Sequence, residues 1–136
     1  MRTIPTGPRW PVTRVAALAA VLAVVAACGG TALGYDAAPA SLPPDSPKLA
    51  AVNVAFDQTD VAVPASKPFI LVFENRENIT HNVSVYADVA LQRRLFEGVL
   101  FNGPATRWYP IPALAAGTYV FVCDLHPTMT GRLRAS

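Results

Sequence analysis

Cysteine, histidine and methionine are scarce in this sequence, with two of each in 136 residues. Two cysteines cannot build a multi-bridge disulfide scaffold or a zinc site of four thiolates. No Cys-x-x-Cys pair is present, which removes the thioredoxin-type redox motif. Charge is also low: 15% of residues are charged and the net is +2, too weak for a nucleic-acid footprint. With 52% hydrophobic residues, the chain is equally unlike a disordered one. There is no phosphate-cradling glycine loop, nucleophile elbow or zinc-hydrolase motif. Asp57, Asp60, Glu74 and Glu77 lie scattered near turns, without the spacing of a catalytic carboxylate pair. An enzyme is not expected. The length allows one domain, and there is no internal repeat.

Only one long apolar run occurs, Val15 to Ala27, preceded by Arg2, Arg9 and Arg14 and no acid. A membrane-spanning helix needs about 20 apolar residues, and Gly29 and Gly30 end this one early. The pattern fits a secretory signal, with a positive start, a short apolar core and small residues at its end. Its last residues, Val25-Ala26-Ala27-Cys28, resemble the lipobox of bacterial lipoproteins. The resemblance implies that residues 1–27 are a signal peptide and that Cys28 becomes the lipidated N-terminus. The protein would then lie outside the cytoplasm, in the cell envelope or periplasm, anchored to a bacterial membrane. Each buried lipid methylene contributes about 0.8 kcal/mol, and stable anchoring takes more than one chain. No Arg-Arg pair precedes the run, so export of the unfolded chain is expected, with any metal acquired outside. Residues 28–48 carry Pro39, Pro43, Pro44 and Pro47 among Ala, Ser and Asp, the composition of a flexible tether.

Residues 49–136 change texture to short β-type runs cut by turn residues. The runs are Ala51–Phe56, Pro68–Glu74, Thr80–Tyr86, Phe96–Phe101, Thr106–Ile111, Thr118–Cys123 and Gly131–Arg134. Val83 and Val85 alternate with polar neighbours, as on a half-buried strand, whereas Thr118–Cys123 is apolar on both faces, as a central strand is. Turn residues separate the runs at Asn75–Asn78, Asn102-Gly103-Pro104 and Ala116-Gly117. Short strands at this spacing predict an all-β sandwich or barrel. Ala87 to Arg94 reads equally as a helical turn or a loop.

Near the end, Cys123, His126 and Met129 are spaced C-x2-H-x2-M, and His81 stands upstream at a strand start. One thiolate, two imidazoles and one thioether are the donors of a mononuclear blue-copper site. Thiolate and thioether suit Cu(I), and imidazole suits both oxidation states. Taken singly, each residue has a plainer explanation: a lone cysteine is usually a small buried hydrophobe, and a methionine fills gaps. The set is more specific, because beyond Cys28 and the initiating Met1 it uses every Cys, His and Met in the chain. Zinc prefers N/S sites without a thioether, and a binuclear copper site would need a second loop cysteine. A Cys28–Cys123 disulfide is conceivable, but lipidation would consume Cys28. Asn78-Ile79-Thr80 and Asn82-Val83-Ser84 match the glycosylation sequon, a coincidence in a chain with a bacterial lipobox. Arg93-Arg94 reads as a solvated pair.

The loop Cys123-Asp124-Leu125-His126-Pro127-Thr128-Met129 and the upstream Glu74–Val85 segment resemble those of the cupredoxins, in particular amicyanin-type proteins. The resemblance implies a cupredoxin-like Greek-key β-sandwich of about seven or eight strands. It implies one copper ion cycling between Cu(I) and Cu(II), held by His81, Cys123, His126 and Met129. The family's supporting asparagine, which steadies the thiolate and links the two ligand segments, falls on Asn82. Leu125 stands where the family often has proline; its N–H is expected to add a donor to the Cys123 sulfur and raise the potential. The implied function is a monomeric one-electron carrier with a transient redox partner docking around Leu125, Pro127 and Thr128. A copper carrier handing over the metal, or a metal-free interaction module, would use the same scaffold.

Overall fold

The computed structural model describes residues 34–136; residues 1–27, expected to be a signal peptide, and Cys28 lie outside the described residues. The chain forms β1 (Lys48–Val52), β2 (Ala55–Phe56), β3 (Asp60–Val63), β4 (Phe69–Asn75), β5 (Thr80–His81) and β6 (Ser84–Tyr86). β7 (Arg94–Glu97), β8 (Phe101–Asn102), β9 (Ala105–Ile111), β10 (Gly117–Cys123) and β11 (His126–Ala135) follow. Among the described residues there is no helix, and Ala87 to Arg93 is turn and loop. The strands make two sheets, ordered β2-β1-β4-β9 and β3-β11-β10-β6-β7, with β5 and β8 as a separate short pair. β1 lies parallel to β4 and β3 parallel to β11, and the remaining pairs are antiparallel. This is the expected all-β sandwich.

Alternation places the core. Phe69, Leu71 and Phe73 of β4 point inward beside Tyr109 and Ile111 of β9, and meet Val85, Phe96, Phe121 and Leu133 of the other sheet. Burying each such side chain contributes about 1.5–3 kcal/mol. Phe56 packs edge-on against Phe73 and Phe121, with ring centroids 6.1 and 5.1 Å away. Gly131 lies opposite Phe121 in the β10–β11 register, and a Cβ there would collide with the phenyl ring. β10, paired with β11 and β6 on its two edges, is buried on both faces from Val120 to Cys123, with Phe121 and Cys123 in the core between the sheets. Its outward Val120 and Val122 pack with Tyr86.

Several expected runs are divided. Ala51–Phe56 is a hairpin, because Asn53 and Val54 both take positive φ and fold β2 back on β1. Thr80–Tyr86 splits at Asn82-Val83 into β5 and β6, which belong to different sheets. β11 begins at His126 instead of Gly131, so the metal-site loop is itself the start of a strand. β3 was not anticipated; its four residues Asp60–Val63 gain their ladder only from the distant β11. The proline-containing segment is docked over part of its described length. Tyr35 exchanges backbone hydrogen bonds of 3.0 and 3.3 Å with Trp108 of β9, and Asp36 pairs with Arg107 at 3.0 Å.

Candidate metal centre

Two crossings of the chain bring the site together. β5 ends at His81, on a segment pinned to β8 by the His81–Phe101 register. β10 ends at Cys123 and β11 starts at His126, and these two pair directly after a register shift at Val122/Cys123. The bulge lets a tight Asp124-Leu125 turn present both donors on one side. Cys123 Sγ lies 3.7 Å from His81 Nδ1 and 3.5 Å from His126 Nδ1. A ligand atom from each of the three residues lies within 4.8 Å of the others. The two imidazole rings face each other at 4.7 Å between centroids, inclined by 51°. Met129, on the same strand as His126, is buried in the core cluster that contains Cys123. His81, Cys123 and Met129 are essentially inaccessible, and His126 alone is half-buried.

The polar surroundings select the protonation state of His81. Its Nε2 lies 2.9 Å from Glu77 Oε2. A carboxylate only accepts, so Nε2 carries the proton and the Nδ1 lone pair faces the sulfur. Burial holds the imidazole below its ordinary pKa, with nearby His126 adding to the effect and Glu77 opposing it. The neutral ring is the form that ligates a metal.

Asn82 links the two ligand segments, by way of Asp124. Its Nδ2 donates to Asp124 Oδ2 at 2.7 Å and to Gly98 carbonyl oxygen at 2.9 Å, and its Oδ1 accepts from Asp124 N–H at 2.9 Å. Ser84 Oγ also donates to Asp124 Oδ2. Tyr86 hydroxyl donates to Oδ1 at 3.2 Å and in turn accepts from Arg94 Nε at 2.9 Å. Asp124 is therefore the polar hub under the loop. Leu125 sits at the turn tip with half its surface exposed. Among the described residues, the polar contacts of Cys123 Sγ run to the two imidazoles and none comes from the Leu125 N–H.

Three residues of this site were not singled out from the sequence. In the sequence Glu77 reads as one of several scattered acids, Asn75 as a turn residue and Asp124 only as a member of the Cys123–Met129 loop. Asn75 is fully buried, donates to the Ile79 and Phe101 carbonyl oxygens at 2.7 and 3.2 Å, and accepts from Glu77 N–H at 3.0 Å. The available signal was position: Glu77 stands four residues before His81, and Asp124 directly follows Cys123.

No protein-family model matches the chain. Amicyanin-alpha of Methylorubrum extorquens is 28% identical over 120 residues, covering 88% of this chain and 97% of that protein. Among solved structures, auracyanin A, described as a blue copper protein of Chloroflexus aurantiacus, superposes with a TM-score of 0.59 at 22% identity. It covers 65% of this chain and 96% of its own. Amicyanin of Paracoccus versutus gives 0.54 at 21% identity, covering 71% and 87%. The sandwich, the donor cluster at its end and these likenesses agree: the chain has the cupredoxin fold and is similar to amicyanin and the auracyanins.

Proposed function

We propose that this protein binds one copper ion through His81, Cys123, His126 and Met129 and carries single electrons as a monomer. The observation that carries the reading is the convergence of two imidazole Nδ1 atoms on one buried thiol, with a buried thioether on the adjoining strand. That donor set fits copper in both oxidation states and is a poor match for zinc. Bound copper would supply reversible Cu(I)/Cu(II) one-electron chemistry. The chain's own residues do the rest. Burial of His81, Cys123 and Met129 excludes water and favours keeping the ion over delivering it. Two strand ends and the Asn82–Asp124 bridge hold the donors in fixed relation, which keeps rearrangement between redox states small. The half-buried His126 is the shortest way from the site to solvent, and exposed Leu125 beside it supplies apolar surface for a transient partner. With three of the four donors sealed, no open position remains for a substrate, so the protein is a carrier and not an enzyme.

We further propose that lipid on Cys28 holds the domain on the outer side of the cytoplasmic membrane or elsewhere in the envelope. The support is the leader-like run Val15–Ala27 and the lipobox-like Val25–Cys28. Copper-loaded protein should show an intense red-absorbing thiolate-to-copper band that Cys123→Ser abolishes; a colourless Cu(II)-treated protein would remove the copper reading. Reversible voltammetry without loss of metal supports electron carriage over metal delivery. Labelled fatty acid should enter the wild-type protein and not Cys28→Ser; equal labelling rejects the anchor.

A further inference from the structure

Glu77 is gripped from two sides. Oε2 meets His81 Nε2 at 2.9 Å, and the backbone N–H of Val54 donates to Oε1 and Oε2 at 3.0 and 3.1 Å. Val54 belongs to the β1–β2 turn, where Asn53 has φ 55° and Val54 φ 53°. Asparagine tolerates that left-handed region, but a β-branched residue is rare there. The valine side chain does not account for the conformation, since it is 42% exposed. What the conformation achieves is to direct a backbone donor onto a carboxylate 23 residues away in sequence.

The main chain around Glu77 is placed independently. Asn75 ties together Glu77 N–H and the Ile79 and Phe101 carbonyls. Gly103 packs so closely that a Cβ would lie 2.5 Å from the carbonyl oxygens of both Asn75 and Glu77. With the backbone fixed in this way, the remaining freedom is the torsion of the Glu77 side chain, and that is what the Val54 N–H restrains.

We propose that the β1–β2 turn is a positioning element of the metal centre. The Val54 N–H orients the Glu77 carboxylate, and the carboxylate holds the His81 ring with Nε2 protonated and Nδ1 turned toward Cys123. The turn thus acts on a ligand it does not touch. This deepens the copper reading, but its main test needs no metal, so the two can fail separately.

The test is NMR on the metal-free full-length protein. In the wild type, the exposed Val54 amide should exchange with solvent about tenfold more slowly than an unbonded turn amide, and His81 should show a single Nε2–H tautomer. Glu77→Ala should abolish the Val54 protection and mix the His81 tautomers. Replacing Val54 by its α-hydroxy acid analogue removes the N–H while keeping the isopropyl group. It should speed exchange of the His81 ring proton about tenfold, whereas Val54→Gly, which keeps the N–H, should leave it unchanged. In copper-loaded protein the ester variant should keep the visible band but shift the potential, and Val54→Gly should not. An unprotected Val54 amide in the wild type overturns the proposal, as does an ester variant whose His81 tautomer and exchange match the wild type. If the ester variant fails to fold, the comparison of wild type with Glu77→Ala still decides through the Val54 amide.

Discussion

Replacing Asp124 with alanine strips the acceptor from three side-chain donors at once. Asn82 Nδ2 loses a bond of 2.7 Å but keeps the Gly98 carbonyl at 2.9 Å. Tyr86 hydroxyl loses its 3.2 Å acceptor while still accepting from Arg94. Ser84 suffers most, because it is fully buried and its remaining polar neighbour is Asn82 Nδ2 at 3.5 Å, itself a donor. A buried donor left without an acceptor costs about 1–3 kcal/mol, and each hydrogen bond to a charged group is worth about 1.5–3 kcal/mol. Asp124 is about one-fifth exposed in its side chain, so water replaces part of what is lost. The expected cost is about 2–4 kcal/mol, smaller than the sum of the individual bonds. Urea unfolding of the metal-free protein measures it, provided the denaturant slope is unchanged. Ser84→Ala in the same background should recover about 1 kcal/mol, because the stranded hydroxyl is then gone. A loss below about 1 kcal/mol for Asp124→Ala, or strictly additive effects with Ser84→Ala, would show that the hub does not hold the loop.

Other substitutions separate packing from ligation. Met129→Leu conserves volume and should cost less than about 1.5 kcal/mol in the metal-free protein, while shifting the potential of the copper form; Met129→Ala should cost about 2–5 kcal/mol, both read from denaturant midpoints. Gly131→Ala forces a methyl group into the Phe121 ring and should lower stability by about 1–3 kcal/mol, seen as a lower melting temperature. Val54→Gly removes a left-handed valine and should raise stability by about 1 kcal/mol, the relief of strain exceeding the added flexibility of the unfolded chain. The pH profile has a definite sign: burial depresses the His81 pKa, so on acidification the unfolded chain takes up the proton first. The stabilisation is complete above the ordinary imidazole value of about 6.5 and is lost as pH falls through the folded value. The stability of the metal-free protein, measured by denaturant unfolding from pH 8 to 5, should therefore fall toward acid, and His81→Asn should flatten that dependence.

The donor set was legible because the residues that compose it are rare. When a chain has so few Cys, His and Met residues, their spacing carries information, and the structure brings His81, Cys123 and His126 within reach of one ion. The sandwich was legible from short Val-, Phe- and Tyr-rich runs between turn residues. Strand breaks were not, for physical reasons that differ. The Asn53-Val54 hairpin lacks the glycine that usually announces such a turn, and the β5–β6 switch at Asn82 is imposed by hydrogen bonds to the distant Asp124. β3 depends on a partner more than seventy residues later. Glu77 and Asp124 escaped notice because a single acid has no periodicity; its role comes from which donors the fold brings to it. The docking of the proline-containing segment was hidden too, since two backbone bonds and one ion pair need no distinctive composition.

That docking alters how far the domain can travel. If Cys28 carries lipid, the leash begins at Tyr35, where the chain is fastened to β9, and not at Lys48, where the sheet starts. Fastening there removes roughly 40 Å of extended chain from the reach above the bilayer. A shorter leash confines the copper-site face to a thinner layer and raises its local concentration at any membrane-bound partner within that layer. On such an anchor, partners farther out would be excluded by distance before chemistry or charge is consulted.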